Sequence, residues 1–194
     1  MKTDIKPIQG LFTLGYTLDK HTISSTLVGQ SQSGRNLYDT VRTEVGEAVF
    51  QLKYRQNANQ AVPLATAIHQ GLMPLFSDVH VIIPMAASTA RITQPMHLVA
   101  GQLARLTGLP WHDKWLVKAP GGTSLKDLQG RDARDEALQG TLSLAYDLPG
   151  TGPVNVLVID DLYQTGASID AACAVLGSYP RIGNIYVAAL TRKY

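Results

Sequence analysis

The sequence predicts an α/β fold: a twisted, mostly parallel core sheet flanked by helices, with a small N-terminal hood. Three observations carry this reading. From Asp78 onward, short apolar runs alternate with segments of helical period. The runs are near-continuous rather than alternating, as strands buried on both faces are. The first 35 residues differ, being aromatic and β-branched, and read as extended. We therefore divide the chain into a hood of extended and helical material, 1–60, and a core, 61–194.

Taken in order, Leu11–Leu18 and Thr22–Val28 read as strands, and Gln30–Gly34 as a loop. A helix is expected from about Asn36, because Leu37, Val41, Val45, Val49, Phe50 and Leu52 recur at helical spacing. Pro63–Met73 reads as a second helix with proline in its first turn. Val79–Ile83 is a buried strand, Met96–Leu106 a helix stopped by Gly108 and Pro110, and Trp115–Val117 a strand. Leu142–Tyr146 alternates as a strand. Val154–Ile159 is the strongest strand pattern, followed by a helix over Ile169–Leu176 and a last strand over Asn184–Leu190. Strands separated by helices imply crossover connections and parallel pairing.

Composition excludes several classes of function. In 194 residues, 45% are hydrophobic and 16% charged, which is globular rather than disordered. A net charge of +2 is too weak to hold nucleic acid mainly by charge. One cysteine, Cys173, allows neither an internal disulfide nor a cysteine-rich zinc site, and fits a reducing cytoplasm. The N-terminus lacks the apolar core of a signal peptide, and no membrane span is expected.

The chemistry concentrates in Val156–Ser168, where an apolar strand runs into Asp160-Asp161, a short loop, and then Thr165-Gly166-Ala167-Ser168 opening a helix. In open α/β sheets the ligand crevice lies beyond the carboxyl ends of the strands. Ionised carboxylates there accept from sugar hydroxyls or hold hydrated Mg²⁺. Backbone N–H groups at a helix start, with two hydroxyls beside them, suit a phosphate. Gly166 allows a close approach and an unusual φ. Each half alone has an ordinary explanation, as an N-cap or a solvated turn. Together, in this order, they fit a sugar 5-phosphate with a free cis-diol.

The segment resembles the motif by which type I phosphoribosyltransferases bind phosphoribosyl pyrophosphate (PRPP): four apolar residues, two acids, three variable residues, then Thr-Gly and a small residue before Ser or Thr. The resemblance implies that Asp160 and Asp161 are the catalytic acids, holding the ribose diol and Mg²⁺, directly or through water. It implies that Tyr163 lines the site and that Gln164, Thr165, Gly166, Ala167 and Ser168 wrap the 5′-phosphate. Within the superfamily the chain looks most like the ComF, or late-competence, branch. The segments Phe50–Arg55, Ile83-Pro84-Met85 with Arg91 and Gln94, and Lys118 with Leu128, Arg134 and Gly140 carry that likeness. The branch's four-cysteine zinc module is absent, and Ile92-Thr93-Gln94-Pro95 stands where the branch has Gly-Phe-Asn-Gln.

The resemblance implies PRPP as co-substrate, Mg²⁺, and a nucleobase or other amine as acceptor. It implies either transfer with release of pyrophosphate, or PRPP binding without turnover, as a regulator or a partner in a DNA-processing assembly. A homodimer is expected. Met85, Ala86, Ala87 and Ser88 correspond to the pyrophosphate loop, whose small residues let backbone N–H groups approach a diphosphate. Lys118 is expected to face the same group, and 119–135 to form either a lid that closes over it or a solvated loop in which acids balance the basic groups. The five histidines show no metal spacing, and Trp111, Trp115 and Cys173 read as packing residues.

Overall fold

The computed structural model describes residues 1–87, 93–118, 142–145, 147–148 and 150–193. Its centre is a five-stranded sheet in the order β1-β2-β9-β8-β5. These strands are β1 (Lys6–Ile8), β2 (Leu14–Lys20), β5 (Val81–Pro84), β8 (Val154–Tyr163) and β9 (Ile182–Arg192). The pairs β2–β9, β9–β8 and β8–β5 are parallel, and β1 adds an antiparallel edge. The expected α/β class with a mostly parallel sheet is therefore present.

Two cores flank the sheet, and side-chain alternation along the strands assigns residues to them. Leu157, Ile159, Tyr186, Ala188 and Leu190 pack with three helices: α1 (Glu44–Tyr54), α2 (Ala61–Gly71) and α3 (Pro95–Thr107). Val156, Val158, Ile185 and Val187 pack with a fourth helix, α4 (Ala167–Gly177), and with Trp115. Val158 and Ile159 are 0% exposed, so β8 is covered on both faces, as its unbroken apolar run requires.

Helix ends follow their local chemistry. The Thr43 hydroxyl accepts from the Gly46 N–H at 2.9 Å and donates to the Lys20 carbonyl at 2.6 Å, which caps α1 and ties it to β2. Helix α3 starts at Pro95 and stops at Gly108, whose φ of 73° is left-handed.

Three expectations are corrected. The run from Asn36 is not one helix. Asn36–Arg42 is strand β4, paired antiparallel with β3 (Thr22–Gln30), and helix begins only after Thr43. Val41 and Val45 have helical spacing, but the cap Thr43 between them breaks the run. Residues 1–60 are not all hood, because β1 and β2 extend the central sheet and α1 packs on β2 and β9. Only the β3–β4 ribbon stands apart. Finally, β6 (Leu116–Lys118) and β7 (Leu142–Leu144) form a separate antiparallel pair rather than joining the parallel sheet.

Candidate functional site

Strand β8 and the turn into α4 build the site. The strand does not stop at Ile159, as the apolar run suggests. It continues through Asp160 and Asp161 to Tyr163, because β9 pairs with it as far as Arg192. Strand β5 ends earlier, with Pro84 opposite Ile159. The two acids thus lie just past the end of the β5 pairing. The Met85 N–H donates to the Ile159 carbonyl at 2.9 Å, which brings the loop after β5 beside Asp160. Met85 itself is buried in the second core, Ala86 is half-buried and Ala87 exposed. Ser88 and the expected lid, 119–135, lie outside the described residues, as does the side chain of Lys118, whose backbone ends β6.

Asp160 and Asp161 are neighbours in a strand, so their side chains leave the backbone in opposite directions. Asp161 is on the side of the helices α1–α3. Its Oδ2 meets the Lys53 ammonium, from the last turn of α1, at 2.6 Å. Its carbonyl accepts from the Thr191 hydroxyl at 2.7 Å. Burial opposes the charge on Lys53, but the charge of Asp161 and its hydrogen bond outweigh it and raise the Lys53 pKa. Asp160 Oδ1 accepts from the Asp161 N–H at 2.8 Å. Burial of its carboxyl and the nearby Asp161 charge push Asp160 up to about 8, with Lys53 pulling the other way. The acids therefore differ: Asp161 is held in an ion pair, while Asp160 favours its proton at neutral pH.

Lys53 is the site residue that the carboxylate pattern did not reveal. The sequence signal for it was the Leu52-Lys53-Tyr54 helix end, and only the packing of α1 on the sheet brings it to β8. Around Phe50 of the same helix, the Arg42 and Arg55 guanidinium groups lie 3.9 and 5.5 Å from the ring centre. His21 is part of the same network. The Thr191 hydroxyl spends its one proton on Asp161, so the His21 Nδ1–H, 3.2 Å away, donates to Thr191 and leaves Nε2 as the acceptor. Burial and the charge of Arg42 lower the His21 pKa, so the ring is neutral at pH 7.

Beyond Tyr163 the chain turns through Gln164 and Thr165 into α4. Gly166 precedes the helix with φ 85°, and no side chain caps it. A Cβ at this glycine would come within 3.1 Å of the Tyr163 hydroxyl, so glycine is needed for both conformation and space. Gly166 and Ala167 are buried, while Thr165 and Ser168 are partly open. The Thr165 hydroxyl lies 3.4 Å from the Ala167 N–H, a long contact that an anion could replace. The turn is braced from the N-terminal segment: the Tyr163 hydroxyl donates to the Gln9 carbonyl at 3.0 Å, and the Leu11 N–H to Asp170 Oδ1 at 2.8 Å. Pro7, Ile8, Gln9, Tyr163, Gln164 and Arg192 line a recess of about 320 Å³ beside it.

Cys173 lies in α4 behind the turn, 2% exposed. Burial and the Asp170 charge push its thiol up to about 12, which makes it an inert core group. Trp115 is fully buried, and Trp111 packs on the first core. Among the described residues no three His, Cys, Asp or Glu side chains are grouped to hold a metal ion, and no helix is long and apolar enough to cross a membrane.

No protein-family model matches the chain, and no curated protein does. Solved structures do. An adenine phosphoribosyltransferase from Leishmania tarentolae is similar with a TM-score of 0.45 and 11% identity, over 98% of this chain and 95% of that one. Another adenine phosphoribosyltransferase gives 0.44 and 15%, over 87% and 86% of the two chains. A hypoxanthine phosphoribosyltransferase from Staphylococcus aureus gives 0.40 and 12%, over 70% and 65%.

Proposed function

We propose that the chain binds PRPP and acts as a phosphoribosyltransferase, moving the phosphoribosyl group to a nucleobase or other amine and releasing pyrophosphate. The observation that carries this is the stretch Asp160–Ser168. It leads from two carboxylates just past the end of the β5 pairing to a helix start with a left-handed glycine and no side-chain cap. A ribose 5-phosphate needs acceptors for its hydroxyls at one end and N–H donors for its phosphate at the other.

In this reading the ribose hydroxyls donate to Asp160 and Asp161. The ion pair with Lys53 holds Asp161 in place, so that its carboxylate is ready as an acceptor. The N–H groups of Gly166, Ala167 and Ser168 take the 5-phosphate, with the hydroxyls of Thr165 and Ser168 beside them and Tyr163 and Gln164 forming the wall. The backbone of Ala86, Ala87 and Ser88, with Lys118, meets the diphosphate, while Met85, expected there too, gives its N–H to the Ile159 carbonyl instead. As the bond from C1 to pyrophosphate breaks, positive charge grows on the ribose and negative charge on the leaving group, and the acceptor nitrogen bonds to C1. The chain then contributes position and fixed charge rather than a covalent intermediate.

Asp160 and Asp161 leave β8 on opposite sides, so a single carboxylate would hold Mg²⁺, with water and substrate phosphate completing its shell rather than an all-protein cage. When bound, Mg²⁺ neutralises charge on the diphosphate. The buried free thiol suits a reducing cytoplasm.

Calorimetric titration of PRPP with and without Mg²⁺, followed by turnover with a panel of nucleobases, tests the proposal. Saturable Mg²⁺-dependent binding with turnover supports it. Binding without turnover favours a PRPP-responsive regulator or a ComF-like partner in DNA processing. Absence of binding refutes both.

A further inference from the structure

The Gly166 turn, residues 164–168, has little to hold it from within. No side chain caps the start of α4, and Gly166 sits at a left-handed φ of 85°. The contact between the Thr165 hydroxyl and the Ala167 N–H is long, at 3.4 Å. Backbone N–H groups left open in this way suit an anion, but they do not fix the turn before the anion arrives.

Both ends of the turn are held instead by one tripeptide, Gln9-Gly10-Leu11. Before the turn, the Tyr163 hydroxyl donates to the Gln9 carbonyl at 3.0 Å. The Tyr163 ring lies against Gly166, where an added Cβ would be 3.1 Å from its hydroxyl. After the turn, in the first turn of α4, Asp170 Oδ1 accepts from the Leu11 N–H at 2.8 Å. Asp170 is 9% exposed, so water competes poorly for this bond. Between the two contacts, a Cβ on Gly10 would collide with the Asp170 carboxylate and the Phe12 ring.

The tripeptide is itself anchored at the end of the sheet. The Asp4 carbonyl and carboxylate accept from the Arg192 guanidinium at 2.8 and 2.5 Å, and Arg192 is the register partner of Tyr163. Strand β1, which leads into the tripeptide, is a three-residue edge strand. Such an element opens more readily than a covered strand like β8. The order of the turn therefore follows the docking of the N-terminal segment.

We propose that Gln9-Gly10-Leu11 is a clamp that holds the Gly166 turn in its anion-binding form, with Asp170 as a positioning residue that does not touch the substrate. The use of the turn rests on the PRPP reading, while the clamp can be measured without ligand. Hydrogen exchange of 164–168 in the ligand-free chain, then calorimetry with PRPP and Mg²⁺, tests it. Asp170→Leu removes the acceptor of the Leu11 N–H, and Asp170→Asn keeps an oxygen for it. Asp170→Leu should speed turn exchange and weaken PRPP binding, each by about tenfold, the order of one lost hydrogen bond. The amides of 156–159 and 186–190 should exchange as in the parent. Asp170→Asn should bring both readings back to within about threefold of the parent. If Asp170→Leu does not fold, Gly10→Ala, which drives Gly10 and Asp170 apart, makes the same comparison. Unchanged turn exchange, equal loosening of turn and sheet, or Asp170→Asn as damaging as Asp170→Leu overturns the clamp. A parent that binds no PRPP refutes the PRPP reading instead, and the exchange contrast then decides the clamp alone.

Discussion

Strand β8 and the β3–β4 ribbon have similar residues and opposite surroundings. Valine, leucine and isoleucine make up six of the 10 residues of β8 and three of the 9 of β3, and both are long for strands. The middle of β8 is sealed between two helical layers, with β5 and β9 on its edges. The ribbon has one partner strand, and β3 is exposed along almost all of its length. Strand propensity is thus common to both, while burial separates them. The strand that is fixed from four sides is the one that carries a constrained turn and two carboxylates. Chemistry that needs groups held within a fraction of an ångström belongs on such an element.

The largest expected effect is on the turn. Gly166→Val should abolish PRPP binding in calorimetry, since φ 85° is closed to a β-branched residue and its Cβ would crowd Tyr163. A variant that binds as the parent does removes the turn from the site.

The comparison itself is tested by matched truncations. Leu157→Ala, in the covered strand, should cost about 2–5 kcal/mol in denaturant unfolding. Leu27→Ala, in the ribbon, should stay within about 0.5 kcal/mol when measured on the monomer. Equal losses would mean that the ribbon is packed in the isolated chain.

Above about pH 8, where Asp160 is ionised, Asp160→Asn should weaken PRPP binding by about 1.5–3 kcal/mol, the worth of a hydrogen bond to a charged group, and the loss should shrink at neutral pH. It also has a pH signature without ligand. Asp160 keeps its proton up to about 8 in the folded chain, and an unfolded Asp does so only to about 3.9. Between those values the folded state binds the extra proton, so stability falls as pH rises through the window and levels off above it. The Tm advantage of Asp160→Asn over the parent should therefore grow from about pH 4 to about pH 8. A constant difference would refute the assigned burial.

The smallest effect is a rate. Cys173 should react with a thiol reagent only as fast as the native chain opens, because its thiol is buried and its pKa is raised. Rapid modification would show that the layer behind the Gly166 turn is loose.

Much of this was legible in residues with strong local signals. The apolar run of β8, the proline and glycine that bound α3, and the acids followed by Thr-Gly-Ala-Ser each specify local structure. The ribbon was half legible: β3 was read as a strand, but Leu37, Val41 and Val45 mimic a helical face. Strand and helix periods coincide every fourth residue, so periodicity cannot separate them there. The stronger sign was Thr43, followed by Glu44 and Glu47, which is the chemistry of a helix start.

By itself the sequence determined the element types around the site and the order of acids, turn glycine and helix. These depend on backbone conformation and on neighbours within a few residues. Tertiary structure decided what those groups meet: Lys53 against Asp161, Gln9 against Tyr163, Thr191 between His21 and Asp161, and β1–β2 as part of the central sheet. Each of these contacts joins residues far apart in the chain. Only the packing of α1 on the sheet, and the pairing of β2 with β9 and β9 with β8, brings them within reach.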